Sequence, residues 1–215
     1  MSKSDRNGNR KGREQRSIKR TVELGYYLII TDTKETERCY FNGLHKDFPE
    51  EIQKKLIVKV VDTKTPKLID ACLKEMTYLS QYSIPWIVFD RDQVKNFDEI
   101  VEEADKKNIN VGWSNPCFEI WLYTYFGQMP PIQESKKCCS RFGELYQAKT
   151  GIEYKKEDKD IYQRLKKYGD ETKAFSIAKQ RHDRAKEEYK LPSEMCPCTT
   201  VYKLVEEIRE KTEKR

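Results

Sequence analysis

Ile84-Pro-Trp-Ile-Val-Phe-Asp-Arg-Asp92 is a short apolar run that ends in two carboxylates one residue apart. Its β-branched and aromatic content, its length and its bounding Pro85 describe a buried strand. Side chains alternate along a strand, so Asp90 and Asp92 share a face at its carboxyl end while Arg91 takes the other. In an open α/β sheet, ligands bind at the carboxyl ends of the strands. Two acidic side chains there repel each other unless a cation lies between them, and a divalent metal is the usual solution. A solvated turn is the competing reading, because Asp favours turns. The neighbouring elements have to decide.

Upstream, Tyr26-Tyr-Leu-Ile-Ile-Thr31 reads as a first buried strand that runs into Asp32. Residues 35–48 follow with Tyr40, Phe41, Leu44 and Phe48 at helical spacing, stopped by Pro49. A second strand is expected over 55–61. Pro66 opens a helix whose apolar positions Leu68, Ile69, Cys72, Leu73, Met76 and Leu79 keep the 3.6 period. Downstream come a helix over 97–107, a fourth strand over 109–113, the turn Ser114-Asn115-Pro116, and an apolar helix over 118–126 closed by Gly127. This β-α alternation predicts an α/β fold built on a four-stranded, parallel, doubly wound sheet. Beyond Met129 the periodicity is helical only, with helices expected over 136–150, 158–168, 172–189 and 199–214. The chain thus divides into an arm (1–22), an α/β domain (23–128) and a helical C-terminal extension (129–215) packed on it.

The 215 residues are 37% hydrophobic and 36% charged, polar for a globular chain but short of a disordered composition. Residues 1–20 hold eight Lys/Arg against Asp5 and Glu14, which is the whole of the net charge of +6. An arm this basic and apolar-poor, with Arg16, Lys19 and Arg20 at its end, is expected to be disordered alone and drawn to nucleic-acid phosphates, or else to be a solubilising tail. It has no apolar core segment, and no apolar run reaches membrane-spanning length, so a soluble, cytoplasmic protein without membrane contact is expected. The seven Cys form no disulfide framework. Cys138-Cys139 and Cys196-Pro-Cys198 lack the two-residue spacer of a zinc knuckle, and the thiols read as buried or incidental. Gly-rich nucleotide-binding loops and a Gly-x-Ser-x-Gly elbow are also missing from the sequence.

If the first and third strands are neighbours, Asp32 joins Asp90 and Asp92 in one crevice at the switch point of the sheet. Three acids converging there suit metal-assisted phosphoryl transfer, with Mg²⁺ or Mn²⁺ held by carboxylates beside the scissile phosphate. Asn115 reads as a crevice-edge residue or as a turn residue before Pro116. Glu119 reads as a contributor to the site or as a carboxylate favouring a helix amino end. His182, in Ala178-Lys-Gln-Arg-His-Asp-Arg-Ala185, reads as a phosphate contact or proton donor, or as part of a solvated helix face.

Ile30-Thr-Asp-Thr-Lys-Glu-Thr-Glu-Arg-Cys-Tyr-Phe41, Val88-Phe-Asp-Arg-Asp92 and Ser114-Asn-Pro-Cys-Phe-Glu-Ile-Trp-Leu122 resemble, in order, the three main motifs of RloB-like proteins. Cys196-Pro-Cys-Thr-Thr-Val-Tyr-Lys-Leu-Val205 resembles that family's Asn-Pro-Ser-Thr-Thr segment. The resemblance implies a Toprim-like fold, in which a Glu after the first strand is general acid or base and an Asp-x-Asp after the third binds Mg²⁺. It also implies an effector nuclease of bacterial anti-phage, abortive-infection systems, acting on RNA such as tRNA or on DNA, beside an ABC- or AAA-type ATPase or a retron component. Asp90 and Asp92 would be the metal ligands, and Asp32 a ligand or general base. Asp32-Thr33 stands where the family usually has Glu-Gly, which shortens the acid by a methylene. Glu35 or Glu37 could take up the proton-transfer role instead, Glu37 standing where the family also has Glu, with Asn115, Glu119, His182 and the basic arm on the substrate. The alternative is a non-catalytic Toprim-fold subunit that docks to or regulates an ATPase-containing or retron complex.

Overall fold

The computed structural model describes residues 26–31, 35–60, 65–78, 83–92 and 94–213. Asp32, Thr33, Arg16, Lys19 and Arg20 therefore lie outside the described residues, as does Leu79. Five strands form one sheet among the described residues: β1 (Tyr26–Thr31), β2 (Leu56–Val60), β3 (Ser83–Asp90), β4 (Asn110–Asn115) and β5 (Cys198–Thr199), in the order β2-β1-β3-β4-β5. The first four are parallel, with Thr31 opposite Val88 and Asp90 opposite Ser114. β5 runs antiparallel to β4. The expected count of four is thus one short. A two-residue strand carries no periodicity, and the helical spacing of the last helix extends back to Thr199. That helix instead begins after β5, at Val201.

Nine α-helices accompany the sheet among the described residues: α1 (Thr36–Lys46), α2 (Glu50–Gln53), α3 (Leu68–Tyr78), α4 (Phe97–Lys106), α5 (Glu119–Tyr125), α6 (Ser135–Thr150), α7 (Ile161–Tyr168), α8 (Glu171–Glu188) and α9 (Val201–Glu213). α2 was not anticipated, because Pro49 reads as a stop after α1. It also serves as the N-cap of the next helix, where its missing N–H costs nothing. α7 starts three residues later than the periodicity suggests. Asp158 is occupied in the turn before it, accepting from the Asp160 amide (3.0 Å) and from Arg164.

The two-residue alternation of the buried strands builds two cores. Tyr27, Ile29, Trp86 and Val88 face one side with α1, α5 and the helices beyond 129, while Leu28, Ile30, Ile87 and Phe89 face the other with α3 and α4. The C-terminal helices share the first core, through Phe142, Tyr162, Ala178 and Leu204. Gly43 of α1 allows close approach to α7: a Cβ there would lie 2.5 Å from Cβ of Tyr162. Arg209 on α9 ties this side together. It donates to Glu171 (2.9 Å), to Asp47 (2.9 Å) and to the Tyr162 hydroxyl, with its guanidinium 4.6 Å from the Phe48 ring centre. No helix among the described residues is long and apolar enough to cross a membrane.

Candidate functional site

β1 lies between β2 and β3, so the chain reverses its winding between β1 and β3, and the crevice at their carboxyl ends is the switch point of the sheet. Asp90 ends β3 there, two residues beyond the partner of Thr31. It shares the parity of Trp86 and Val88, and so the side on which α1 and α5 pack. A cavity of about 350 Å³ opens at this point and is lined by Glu35, Glu37, Asp90, Asp92, Glu119 and Lys156, among others. Glu37 comes from the first turn of α1 and Glu119 from the first residue of α5, and both side chains are buried. Asp90 is half-buried at the strand end and Asp92 is exposed in the turn that follows, and both carboxylates line one crevice with the buried acids Glu37 and Glu119.

Hydrogen bonds hold this geometry. The amide of Asp92 donates to the Pro116 carbonyl (3.1 Å), and that of Arg91 donates to Ser114 (2.8 Å), so the loop after β3 is clipped to the end of β4. Ser135 Oγ donates to Asp92 Oδ1 (2.9 Å) and fixes the carboxylate's rotation. Tyr154 donates to Glu119 Oε1 (2.8 Å), and its oxygen lies 3.1 Å from the Thr36 hydroxyl. Burial first, and then the Glu119 carboxylate, push the Tyr154 phenol far above its ordinary value, so it stays a donor. Lys156 is the cation at the rim, 3.6 Å from Glu35. Partial burial works to lower its pKa, but the fields of Glu119, Cys139, Glu35 and Glu37 outweigh that and raise it. The crevice is thus strongly acidic, with one ammonium among the described residues that line it.

The other expected site residues fall elsewhere. Asn115 is buried beside the crevice and donates to the Ser193 carbonyl (3.0 Å), lining a second depression that it shares with Asp92. His182 is not on a solvated face and does not reach the acidic crevice. It is 5% exposed, 3.1 Å from the Tyr202 hydroxyl through Nδ1 and edge-on to Trp113, and it lines a separate cleft beside α4. Burial, then Lys203 and Lys186, lower its pKa to about 4, so it stays neutral. The basic character of its helix points outward while the ring fills the core.

Sequence reasoning passed over Lys156, Ser135 and Tyr154, which lie on elements remote from the motifs and carry no local signature. It also passed over the approach of Cys117, Glu119 and Cys139, whose ligand atoms all lie within 4.8 Å of one another.

The family model for RloB-like proteins matches residues 27–208 of this chain. The chain belongs to the RloB-like family. The match takes in every described strand from β1 to β5 and every helix up to most of α9, so the RloB-like unit includes the helices after residue 129 as well as the sheet. No curated protein and no solved structure matches the chain.

Proposed function

We propose that this RloB-like protein is a divalent-metal-dependent phosphodiesterase that cleaves nucleic acid, built on a Toprim-like arrangement of β1 to β4. The supporting observation is the meeting of Glu37, Asp90, Asp92 and Glu119 in one crevice at the β1/β3 switch point. The described lining offers carboxylate oxygens and neither thiol nor imidazole, a donor set that suits Mg²⁺ or Mn²⁺. Asp90 and Asp92 would hold the ion, with Asp32, next in sequence to Thr31, as a further ligand or base. When bound, the metal supplies charge neutralisation at the scissile phosphate and lowers the pKa of an attacking water. Ser135 keeps the Asp92 carboxylate oriented. Glu37, buried at the start of α1, takes the proton of the attacking water, and Lys156 meets the negative charge of the substrate at the rim. The basic arm adds sequence-independent attraction to phosphates, which salt would weaken. In cells the activity would serve phage defence in the cytoplasm, triggered through an ATPase or retron partner.

A second reading, a non-catalytic docking subunit, is favoured by Asp32-Thr33 in place of the family's Glu-Gly. Supercoiled plasmid and tRNA are to be incubated with the full chain, with and without Mg²⁺ or Mn²⁺, beside Asp90→Ala and Asp92→Ala. The expected result is metal-dependent cleavage that falls by at least about 100-fold in either variant. Equal cleavage by the variants overturns the assignment of the crevice. A chain inert alone and inert with its ATPase partner supports the second reading.

A further inference from the structure

Cys117 lies two residues before α5, Glu119 opens that helix, and Cys139 sits in the second turn of α6. The sulfurs of Cys117 and Cys139 are 3.9 Å apart, and a Glu119 oxygen completes a triangle with no side above 4.8 Å. We propose that Cys117, Glu119 and Cys139 form a binding site for a thiophilic divalent cation of the zinc class, distinct from the carboxylate site at Asp90 and Asp92.

The geometry fits such an ion with small adjustment. A tetrahedral centre with metal–sulfur bonds of about 2.3 Å holds two sulfurs about 3.8 Å apart, and a sulfur and a carboxylate oxygen about 3.5 Å apart. Two thiols in simple contact would account for the sulfur distance alone. A metal ion would also account for the Glu119 carboxylate, 2% exposed, lying beside both sulfurs, a charge that Tyr154 and the ammonium of Lys156 already offset in part. One outer contact is of the kind that orients a ligand: the Tyr154 hydroxyl donates to Glu119 Oε1. Access exists as well: Cys139 is partly exposed and lines a depression shared with Tyr154 and Lys156. Sulfur donors distinguish the ion. Two thiolates and one carboxylate select zinc or a metal like it over Mg²⁺, and three protein ligands leave one position for water. Such an ion would join the turn before α5 to α6 and fix Glu119 at the wall of the acidic crevice. The inference does not depend on that crevice being catalytic.

The full chain, reduced and stripped of metal, is to be titrated with Co²⁺ and read by absorption, followed by displacement with Zn²⁺. Thiolate-to-cobalt charge-transfer bands with tetrahedral d–d intensity are expected to saturate at about one ion per chain and to disappear on adding Zn²⁺. The bands are expected to vanish in Cys117→Ser/Cys139→Ser and to persist in Asp90→Asn/Asp92→Asn and in Cys39→Ser/Cys72→Ser. A wild type without thiolate bands, or bands that survive in Cys117→Ser/Cys139→Ser, overturn the proposal. Should the serine variants fail to fold, iodoacetamide labelling of the wild type decides. Zn²⁺ is expected to slow labelling of Cys139 by at least about 10-fold, with Cys196 unchanged. Equal labelling of Cys139 with and without Zn²⁺ refutes the site.

Discussion

Replacing Arg209 with methionine tests whether the ion network on α9 holds the C-terminal helices to α1. The guanidinium joins Asp47 at the end of α1, Glu171 at the start of α8 and Tyr162 of α7, and its side chain is 15% exposed against 18% and 19% for the two acids. Methionine keeps the packing on Phe48 but leaves two mostly buried carboxylates without their shared partner. Breaking a fully buried pair costs about 3 to 5 kcal/mol; the residual exposure and the remaining Lys166–Asp47 bridge place this case near about 3 kcal/mol. For a chain of this size that loss lowers the melting temperature by roughly 6 to 12 °C. Burial alone would raise the pKa of Asp47, but the bonds from Lys166 and Arg209 outweigh it and hold the carboxyl below its ordinary value. With the folded pKa below the unfolded one, this contribution is present above the unfolded value and lost as pH falls through the folded value. Urea melts at pH 7 and in acid, on wild type, Arg209→Met, Asp47→Asn and the double variant, measure both effects. The coupling between the two sites is expected to be about 1 to 3 kcal/mol at pH 7 and to shrink in acid. A loss below about 1 kcal/mol, or zero coupling, would show that the network is ornamental.

Gly43→Ala forces a Cβ to within 2.5 Å of Tyr162 Cβ, so α1 and α7 must separate; a loss of about 1 to 3 kcal/mol in urea melts is expected. Ser135→Ala frees the Asp92 carboxylate to rotate, and the metal-dependent cleavage proposed above is expected to fall by about 10-fold or more with the melting temperature unchanged. His182 resists protonation in the fold until about pH 4, whereas the unfolded chain takes the proton near pH 6.5. The unfolded state therefore binds more protons between those values, and stability falls as pH drops through that window, by at most roughly 3 kcal/mol. His182→Gln is expected to flatten that part of the stability–pH curve, and an unchanged curve would refute the assignment.

The strands that carry the site were legible because burial on both faces writes itself as short apolar runs, and the β-α alternation allowed little choice of sheet. The neighbouring of β1 and β3, on which the crevice depends, was only a condition in the sequence and is a fact of the fold. Glu119 showed its hand by standing charged in an apolar helix. What escaped were features made by approach across long separations: β5, too short for any period; Tyr154 and Ser135, ordinary polar residues on late elements; and the thiols of Cys117 and Cys139, which no spacing rule connects. His182 misled because its helix is basic, and composition does not reveal which of its residues turns inward.

The pairing of β5 with β4 has a bearing on when the site comes into being. Ser114 and Thr199 share a hydroxyl contact across 85 positions of chain, Asn115 is held by Ser193, and Pro116 in turn grips the amide of Asp92. The end of β4 beside the acidic crevice is thus braced by Ser193 and Thr199, far later in the chain, whereas the amides of Arg91 and Asp92 are held by Ser114 and Pro116. Contacts of such long separation form slowly and only once both partners exist. A chain with its parallel sheet alone would hold Asp92 through Pro116 while the end of β4 still lacked its β5 brace. The acidic crevice therefore gains its last brace only when β5 pairs with β4.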